Sequence, residues 1–346
     1  MAAAPILPGG VAILCTICIN IQHMYVLAPA PTLYGRHFLT VDDFSAGELG
    51  ALLRLAAYLK GRRTAEQSSV LPGKTLAMLF EKPSLRTRVS FEVAMTQLGG
   101  HVIFADGQEF LIGTRESPED AARALSRYAD AIVIRTHAHE PLQRFADAAT
   151  VPVINGLSAA AHPSQALADL LTMQERFGSL QGLTIAFVGD AKNNVAASLA
   201  EAAVLAGATM HFGSPPSHRP SEHFLAKLKA MGKPHGGDAR AFCSAVRAVR
   251  GADVIYTDVW TSMGEEASTE RNRAVLSPFR VTEELFIHAA GHAIFMHCLP
   301  AHRGEEVTAS VIDGPRSVVF DQAENRMHSQ KALLVALMTT LKGFPV

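Results

Sequence analysis

The sequence predicts an α/β fold: two doubly wound parallel-sheet α/β domains joined by interdomain helices, with a C-terminal helix packing back on the first domain. Short apolar runs alternate with amphipathic helical segments from Arg36 onward, and this alternation restarts after a segment with glycines at both ends, 178–182. Alternating strands and helices form parallel sheets covered by helices. The length of 346 residues suits about two such domains.

In the first half, each predicted strand is a short apolar run bounded by polar residues or glycine. The strands are predicted at 75–80, 101–105, 131–134 and 151–154. A helix follows the first strand and ends near Leu98, because the glycine pair after it suits a helix C-terminus. Another helix starts at Ser117, which caps it, with Pro118 in its first turn. Further helices are predicted between the third and fourth strands and at 163–177.

The second half repeats this pattern. Strands are predicted at 183–188, 209–212, 253–257, 293–296 and 317–320. Helices are predicted at 194–206, 221–231, 240–249 and 282–290, and a last helix at about 324–341 would pack on the first half. The predicted boundaries are an N-terminal extension, 1–35, a first domain, 36–165, a linking helix and loop, 166–182, a second domain, 183–321, and the returning helix, 322–346.

Composition excludes several classes of protein. With 48% hydrophobic residues, the chain can bury sizeable cores. Its 31 lysines and arginines balance 32 aspartates and glutamates without a long basic run, so no nucleic-acid partner and no membrane partner is expected. Four cysteines in so long a chain argue against a disulfide framework and suit a reducing compartment, so we expect a cytoplasmic protein.

The N-terminal extension carries an apolar run at 10–21. This run is too short to span a bilayer comfortably and lacks the charged flank of a targeting signal. Cys15 and Cys18 have the spacing of half a zinc site or a redox pair, but no second pair follows. A buried or poorly ordered extension is the simpler interpretation, and no function is assigned to it.

The junction between the first predicted strand and the next helix carries Ser84, Leu85, Arg86, Thr87 and Arg88. A helix leaves its first N–H groups unpaired, and its dipole favours negative charge there. Arginine adds forked donors that fit phosphate oxygens. The junction therefore predicts an anion site, against the simpler alternative of a capped helix with solvated arginines.

Other polar groups follow predicted strands of the first half. Arg135 closes the third strand, at the carboxyl edge where open α/β sheets bind ligands. His162 and Gln165 lie three residues apart at a helix start, where both could face one ligand. Taken alone, His162 would be interpreted as a capping or surface histidine.

The second half supplies groups of a different kind. A single glycine, Gly189, stands where a dinucleotide fold carries three, which opposes a dinucleotide-binding module. Asn194 offers an amide suited to a zwitterion, and Asp258 offers an acid for an ammonium group. Cys298 follows a further strand beside Pro300. Such thiols are more often buried and inert, but one beside a rigid turn can line a site.

These groups stand in a series of motifs: S-x-R-T-R, R-T-x-x-H-E, H-P-x-Q, N-N-V-A-x-S, D-x-x-x-S-M-G, H-C-L-P and E-N-R. In this order, over residues 36–342, they resemble the carbamoyltransferase family, and S-M-G with H-C-L-P resembles its ornithine branch. The resemblance implies transfer of a carbamoyl group from carbamoyl phosphate to the δ-amine of L-ornithine, giving L-citrulline and phosphate. It also implies two α/β domains around a cleft, assembly as a homotrimer or a multiple of trimers, and no metal or organic cofactor.

The resemblance also implies a role for each matching residue. It puts the phosphate on Ser84, Leu85, Arg86, Thr87 and Arg135, and the carbonyl oxygen on Arg135, His162 and Thr87. The carbamoyl amide would contact Gln165 and the backbone carbonyls of Cys298 and Leu299, with Arg326 closing the site. Ornithine would contact Asn194, Asp258, Ser262 and Met263. Cys298, oriented with Asp258, would accept a proton, so the implied catalytic set is Cys298, Arg135, His162 and Asp258.

Two residues depart from the family pattern. Leu85 replaces the threonine usually found second in the phosphate loop, with little harm expected because that position acts mainly through its backbone N–H. Leu111 stands where many members carry a glutamine that reaches carbamoyl phosphate in the neighbouring subunit. An aliphatic side chain cannot donate that bond, so weakened affinity or altered assembly is expected unless nearby residues compensate.

Three alternatives stay open at this point. Putrescine or an acylated ornithine could be the acceptor, although a diamine leaves Asn194 without a carboxylate to bind, and S-M-G favours ornithine. The same site run in reverse would cleave citrulline in arginine catabolism instead of serving arginine biosynthesis. A non-catalytic carbamoyl-phosphate-binding homologue is a further alternative because of Leu111, but the retained Cys298, Asp258 and arginines oppose it.

Overall fold

A computed structural model describes residues 33–62, 64–107, 109–261, 269–340 and 344. Most of the predicted N-terminal extension and two predicted ornithine contacts, Ser262 and Met263, lie outside these ranges. Leu33 is buried, and Gly35 donates its N–H to the carbonyl oxygen of Leu337 at 3.0 Å. From the beginning of the described residues, the chain is therefore packed against its own C-terminal helix.

The first sheet contains four parallel strands in the order β2-β1-β3-β4. They are β1 (Thr75–Phe80), β2 (His101–Asp106), β3 (Ala131–Arg135) and β4 (Val153–Leu157). The register pairs Thr75 with His101, and Leu76 with Ala131. Every residue of β3 is buried, as expected for an inner strand of a parallel sheet that is covered on both faces.

The helices of the first half are α1 (Ala46–Lys60), α2 (Thr64–Gln67), α3 (Leu85–Gln97), α4 (Pro118–Leu125), α5 (Glu140–Ala148) and α6 (Pro163–Phe177). Ser45 caps α1 with its side chain. Ser117 caps α4 by accepting the N–H of Asp120 at 3.1 Å, as predicted. The bounds of α6 match the predicted 163–177, and Gly178 ends it with a φ of 77°, a conformation in which glycine carries no steric penalty.

The second sheet contains five parallel strands in the order β7-β6-β5-β8-β9. They are β5 (Thr184–Val188), β6 (Thr209–Gly213), β7 (Asp238–Phe242), β8 (Val254–Thr257) and β9 (Ile294–His297). The helices are α7 (Asn194–Leu205), α8 (Glu222–Gly232), α9 (Ala245–Val249), α10 (Thr269–Leu276), α11 (Glu283–Phe286), α12 (Ala309–Ile312) and α13 (Val319–Met338). Two helix-flanked parallel sheets confirm the predicted fold class.

The terminal helix α13 returns to the first half, as predicted. It packs against α1, α3 and α6, and Leu333, Leu334 and Leu337 belong to the same buried cluster as Phe91 of α3. No helix among the described residues is long and apolar enough to cross a membrane. From His328 to Met338 the helix is buried on every side, so packing against the first half sets its position.

Two predicted elements of the second half are wrong. The strand predicted at 317–320 is reduced to an isolated bridge between Ser317 and Phe295, and α13 begins at Val319. The helix predicted at 240–249 is replaced at its start by β7, and α9 begins only at Ala245. β7 lies at the sheet edge and shows no inward and outward alternation of burial, so pairing with β6 decides its conformation.

Candidate active site

A cleft of about 370 Å³ lies between the carboxyl ends of the two sheets. Loops that follow β1, β3 and β4 line one side of it, and loops that follow β5, β8 and β9 line the other. This edge of a parallel sheet is where ligands bind. The predicted site residues that line it are Ser84, Leu85, Arg86, Thr87, Arg135, His162, Asn194, Asp258, Cys298, Leu299 and Arg326. Lys82 and His302, which no motif indicated, also line it.

The junction after β1 has the features of an anion site. Ser84 precedes α3, and its hydroxyl donates to Oγ1 of Thr87 at 2.9 Å instead of capping the helix. The first N–H groups of α3 are therefore not occupied by a capping side chain. Arg86 lines the cleft, whereas Arg88 turns away and donates to Glu92 at 2.9 Å. Of the two arginines in this motif, Arg86 therefore faces the cleft.

Arg326 reaches the cleft from α13. Its Nη2 donates to Oγ1 of Thr87 at 2.8 Å, and its Nη1 donates to Oε1 of Gln165 at 2.5 Å. Burial lowers the pKa of Arg326 to about 10. Burial, together with the charge of Arg326, lowers the pKa of Arg135 to about 10 as well. Both guanidiniums are therefore cationic at neutral pH, and both carry a buried Nε without a hydrogen-bond partner within the described residues.

His162 stands immediately before α6 and is buried. Its backbone N–H donates to Oγ of Ser198 on α7 at 2.9 Å, and its Nε2 lies 3.4 Å from Nη1 of Arg326. Burial lowers the pKa of His162 well below its ordinary value, and the charges of Arg326 and Arg135 lower it further. The imidazole is therefore neutral at physiological pH, with one nitrogen that donates and one that accepts.

Asp169 of α6 centres a buried network beneath the cleft, which no motif in the sequence indicated. Its Oδ1 accepts from Nε2 of Gln165 at 2.8 Å and from Nε2 of Gln322 at 2.7 Å, and its Oδ2 accepts from the hydroxyl of Tyr256 at 3.2 Å. Burial raises the pKa of Asp169 to about 7. Because Asp169 lies four residues after Gln165 on the same helix face, helical periodicity was the signal that could have found it.

Asp258 and Cys298 form a pair on the second side of the cleft. They follow β8 and β9, which are neighbouring strands, and Sγ of Cys298 donates to Oδ1 of Asp258 at 3.0 Å. Nδ2 of Asn193 donates to the other carboxylate oxygen of Asp258 at 3.3 Å. Burial raises the pKa of Cys298 well above its ordinary value, and the charge of Asp258 raises it further. The thiol is therefore a neutral donor.

Asn194 is the first residue of α7 and lies in the cleft. Its Nδ2 donates to the backbone carbonyl oxygen of Ser158, on the first side of the cleft, at 2.6 Å. Because the amide nitrogen carries two hydrogens, its second N–H can donate to a ligand carboxylate while this bond is kept.

Within the described ranges, two groups of side chains have the donor types of a metal site. They are Asp258, His297 and Cys298, and His302, Glu305 and Glu306, with ligand atoms within 4.8 Å of one another in each group. In the first group, Cys298 donates to Asp258, and Nδ1 of His297 accepts the N–H of Leu299 at 2.8 Å. The expectation that no metal and no organic cofactor takes part stays a prediction.

The two departures from the family pattern occupy exposed positions. Leu85 lines the cleft and is 76% exposed, and Leu111 is 43% exposed and is not among the residues lining this cleft. The predicted contacts of Ser262 and Met263 lie outside the described residues. The consequence predicted for Leu111 concerns a neighbouring copy of the chain and stays a prediction.

Comparison with known proteins assigns both halves to one family. Residues 36–175 match the model of the aspartate/ornithine carbamoyltransferase carbamoyl-P binding domain, and residues 181–337 match the Asp/Orn binding domain. An ornithine carbamoyltransferase of Parafrankia sp. is 50% identical over 305 residues, which cover 88% of this chain and 96% of that protein. The anabolic ornithine carbamoyltransferase of Pyrococcus furiosus is 47% identical over 312 residues, which cover 90% and 99%.

The architecture agrees with this assignment. A solved structure of ornithine carbamoyltransferase from Pyrococcus furiosus matches with a TM-score of 0.86 at 47% identity, covering 89% of this chain and 98% of that one. Sequence motifs, both family models and the two-sheet fold therefore agree: the chain belongs to the aspartate/ornithine carbamoyltransferase family.

Proposed function

We propose that this protein transfers the carbamoyl group of carbamoyl phosphate to the δ-amine of L-ornithine, giving L-citrulline and phosphate. One observation carries the proposal: buried guanidiniums on one side of a single cleft face the Asp258–Cys298 pair on the other. The first set suits the phosphate group of an acyl phosphate, and the second suits an amine. Relatives named ornithine carbamoyltransferase, about half identical over most of the chain, support this choice of substrates.

Carbamoyl phosphate would bind on the first side of the cleft. The free N–H groups at the start of α3 and the guanidiniums of Arg86 and Arg135 offer donors to the phosphate oxygens. Negative charge grows on the phosphate as its bond to the carbamoyl carbon breaks. Fixed cations in a site shielded from water stabilise that charge most when it is greatest, which lowers the barrier.

The carbamoyl group itself would be held by neutral donors and acceptors. His162 and Thr87 can donate to the carbonyl oxygen, with Arg135 beside them. Oε1 of Gln165 and the backbone carbonyls of Cys298 and Leu299 can accept from the amide nitrogen. Oε1 of Gln165 now accepts from Arg326, so ligand binding would share or redirect that bond.

Ornithine would bind on the second side of the cleft. The Asp258 carboxylate can hold an ammonium group, and the Asn194 amide can bind the carboxylate. In the transfer step the δ-nitrogen forms the new C–N bond, the C–O bond to phosphate breaks with its electron pair, and the nitrogen loses a proton. Because the Cys298 thiol is neutral, it can accept that proton only as its own passes to Asp258.

Purified protein incubated with carbamoyl phosphate and L-ornithine tests the proposal, with citrulline as the readout. We expect citrulline and phosphate in equal amounts. A panel with putrescine and N-acetylornithine tests the acceptor, since these amines lack the free carboxylate or the free α-amino group that Asn194 and Asp258 would bind. Preferred carbamoylation of either analogue would reassign the acceptor, and binding of carbamoyl phosphate without any product would favour a non-catalytic homologue.

We also propose a cytoplasmic homotrimer or a multiple of trimers. Exposed apolar side chains on the first half support a subunit interface there: Leu85, Val89, Ile103 and Leu111. Light scattering on the purified protein should give a molar mass that is a multiple of three chain masses. A monomeric mass at micromolar concentration would contradict the assembly without affecting the proposed reaction.

A further inference from the structure

Asp169 lies beneath the proposed active site and does not line the cleft. It accepts hydrogen bonds from three elements: its own helix α6 through Gln165, β8 through Tyr256, and α13 through Gln322. An ionised carboxylate has no hydrogen to donate. All three partners must therefore turn their donors towards it.

Two carboxamides each lie between this acceptor and a donor, and the two partners together fix how each carboxamide is oriented. Because Gln165 gives Nε2 to Asp169, its Oε1 faces Arg326. Because Gln322 also gives Nε2 to Asp169, its Oε1 accepts the backbone N–H of His297 at 2.9 Å, immediately before Cys298. Asp169 therefore helps to orient Gln165, which is proposed to contact the carbamoyl group. Through Gln322 it also helps to hold the backbone that leads to Cys298.

We propose that Asp169 is a positioning residue that holds Gln165 with its carbonyl oxygen, and not its amide nitrogen, available to the carbamoyl group of the substrate. This inference rests on the proposed function and extends it, since Asp169 acts through Gln165 without touching substrate. If the amide nitrogen of Gln165 faced the carbamoyl nitrogen instead, two hydrogen-bond donors would point at each other. Binding of carbamoyl phosphate is therefore the step that Asp169 supports.

The groups facing Asp169 define its charge state. Burial disfavours ionisation, while the three donors and the charge of Arg326 favour it, and the thiol of Cys298 and the hydroxyl of Tyr256 are neutral neighbours. The pKa of Asp169 is consequently raised to about 7. As the pH falls through this value the carboxyl gains a hydrogen to donate, and it no longer requires every partner to donate.

Asp169→Asn tests the proposal, because asparagine keeps the shape but both donates and accepts. Calorimetric titration with carbamoyl phosphate at pH 8 should show affinity about tenfold weaker than wild type, the size of one disturbed buried hydrogen bond. In a Gln165→Ala background the same substitution should cause little further loss, since its effect passes through Gln165. Asp130→Asn, which removes a carboxylate paired with Lys74 away from the cleft, is the matched control and should bind normally.

The pH dependence provides a readout that a merely structural role would not produce. Wild-type affinity should fall between pH 8 and pH 6 more steeply than the affinity of Asp169→Asn. Tyr256→Phe removes one donor to the carboxylate and should move the wild-type transition to higher pH. That variant also tests the proposal if Asp169→Asn does not fold.

Three results would overturn the inference: wild-type affinity in Asp169→Asn, an equal loss in the Gln165→Ala background, or an unshifted transition in Tyr256→Phe. Failure of the proposed function is a separate outcome, because it would appear as wild-type protein that forms no citrulline. If the wild-type enzyme forms citrulline and Asp169→Asn binds carbamoyl phosphate with wild-type affinity, only the proposed role of Asp169 is refuted.

Discussion

The thiol of Cys298 donates to Oδ1 of Asp258 at 3.0 Å, joining the loops that follow β8 and β9. Burial and the neighbouring carboxylate raise the pKa of the thiol, so it is a neutral donor rather than a thiolate. The prediction that Cys298 accepts a proton therefore needs Asp258 as well. The pair, and not the thiol alone, is the proton-accepting unit of the proposed reaction.

Cys298 should react slowly with alkylating reagents, because the thiolate is the reactive form and burial disfavours it. Cys243 is exposed. With iodoacetamide at pH 7.5 and ligand-free protein, we expect Cys243 to be labelled at least about tenfold faster than Cys298. Peptide mass spectrometry over time measures both rates in one sample. Equal rates, or faster labelling of Cys298, would contradict the neutral-thiol assignment.

Activity at subsaturating ornithine should rise with pH. Only a neutral amine can attack, and an alkylamine with a pKa near 10.4 is neutral in about one molecule in 2,500 at pH 7. We expect the rate to climb between about pH 6 and pH 8.5, measured with saturating carbamoyl phosphate so that the titration of Asp169 does not contribute. Cys298→Ala should lower kcat and leave carbamoyl phosphate binding intact. A flat pH profile of the rate, or an unchanged kcat and ornithine KM in Cys298→Ala, would show that Cys298 has only a structural role.

Arg86→Ala should abolish most activity, and Arg88→Ala should not. Arg86 lines the cleft, whereas Arg88 pairs with Glu92 and lies over the ring of Phe104 at 3.8 Å. Loss of a charge-assisted phosphate contact in a shielded site costs on the order of a thousandfold in kcat/KM. Steady-state kinetics on both variants compares two arginines of one motif. Near-normal kcat/KM in Arg86→Ala would show that the phosphate does not bind at this junction.

Lys227 connects the two halves of the molecule away from the cleft. Its Nζ lies 2.8 Å from Oδ2 of Asp42 in the first half and 2.7 Å from Oε1 of Glu201 on α7. Lys227→Met leaves the Glu201 carboxylate buried without a cation, which should lower the free energy of unfolding by about 1–3 kcal/mol. Lys229→Met, at an exposed position of the same helix, is the control and should change stability little.

The pH dependence of this loss has a defined sign. Burial raises the pKa of Glu201 even beside Lys227, and removing the cation raises it further. The neutral form therefore predominates at low pH, where the substitution costs less, and the loss grows as the pH rises through the folded-state pKa. Urea unfolding at pH 5 and pH 8 measures the difference. A larger loss of unfolding free energy at pH 5 than at pH 8 would contradict the pairing of Lys227 with an ionised Glu201.

Local chemistry determined much of this fold. Ser117 caps α4, and α6 has its predicted bounds, because caps, glycines and helical periodicity act within a few residues. The S-L-R-T-R junction and the strand-end residues Arg135 and Asp258 were likewise predictable, since parallel strands bring their carboxyl ends to one edge. The sequence by itself therefore determined the two-domain α/β class, the family and most of the cleft-lining residues.

Tertiary structure decided what depends on distant partners. Arg326 meets Thr87 across 239 residues because α13 packs back on α1, α3 and α6. β7 is a strand because β6 pairs with it, and α13 begins at Val319 where a strand was predicted. Asp169 gains its raised pKa and its orienting role only when Tyr256 and Gln322 enclose it. Burial and hydrogen-bond geometry arise from residues far apart in the chain, so no local pattern contains them.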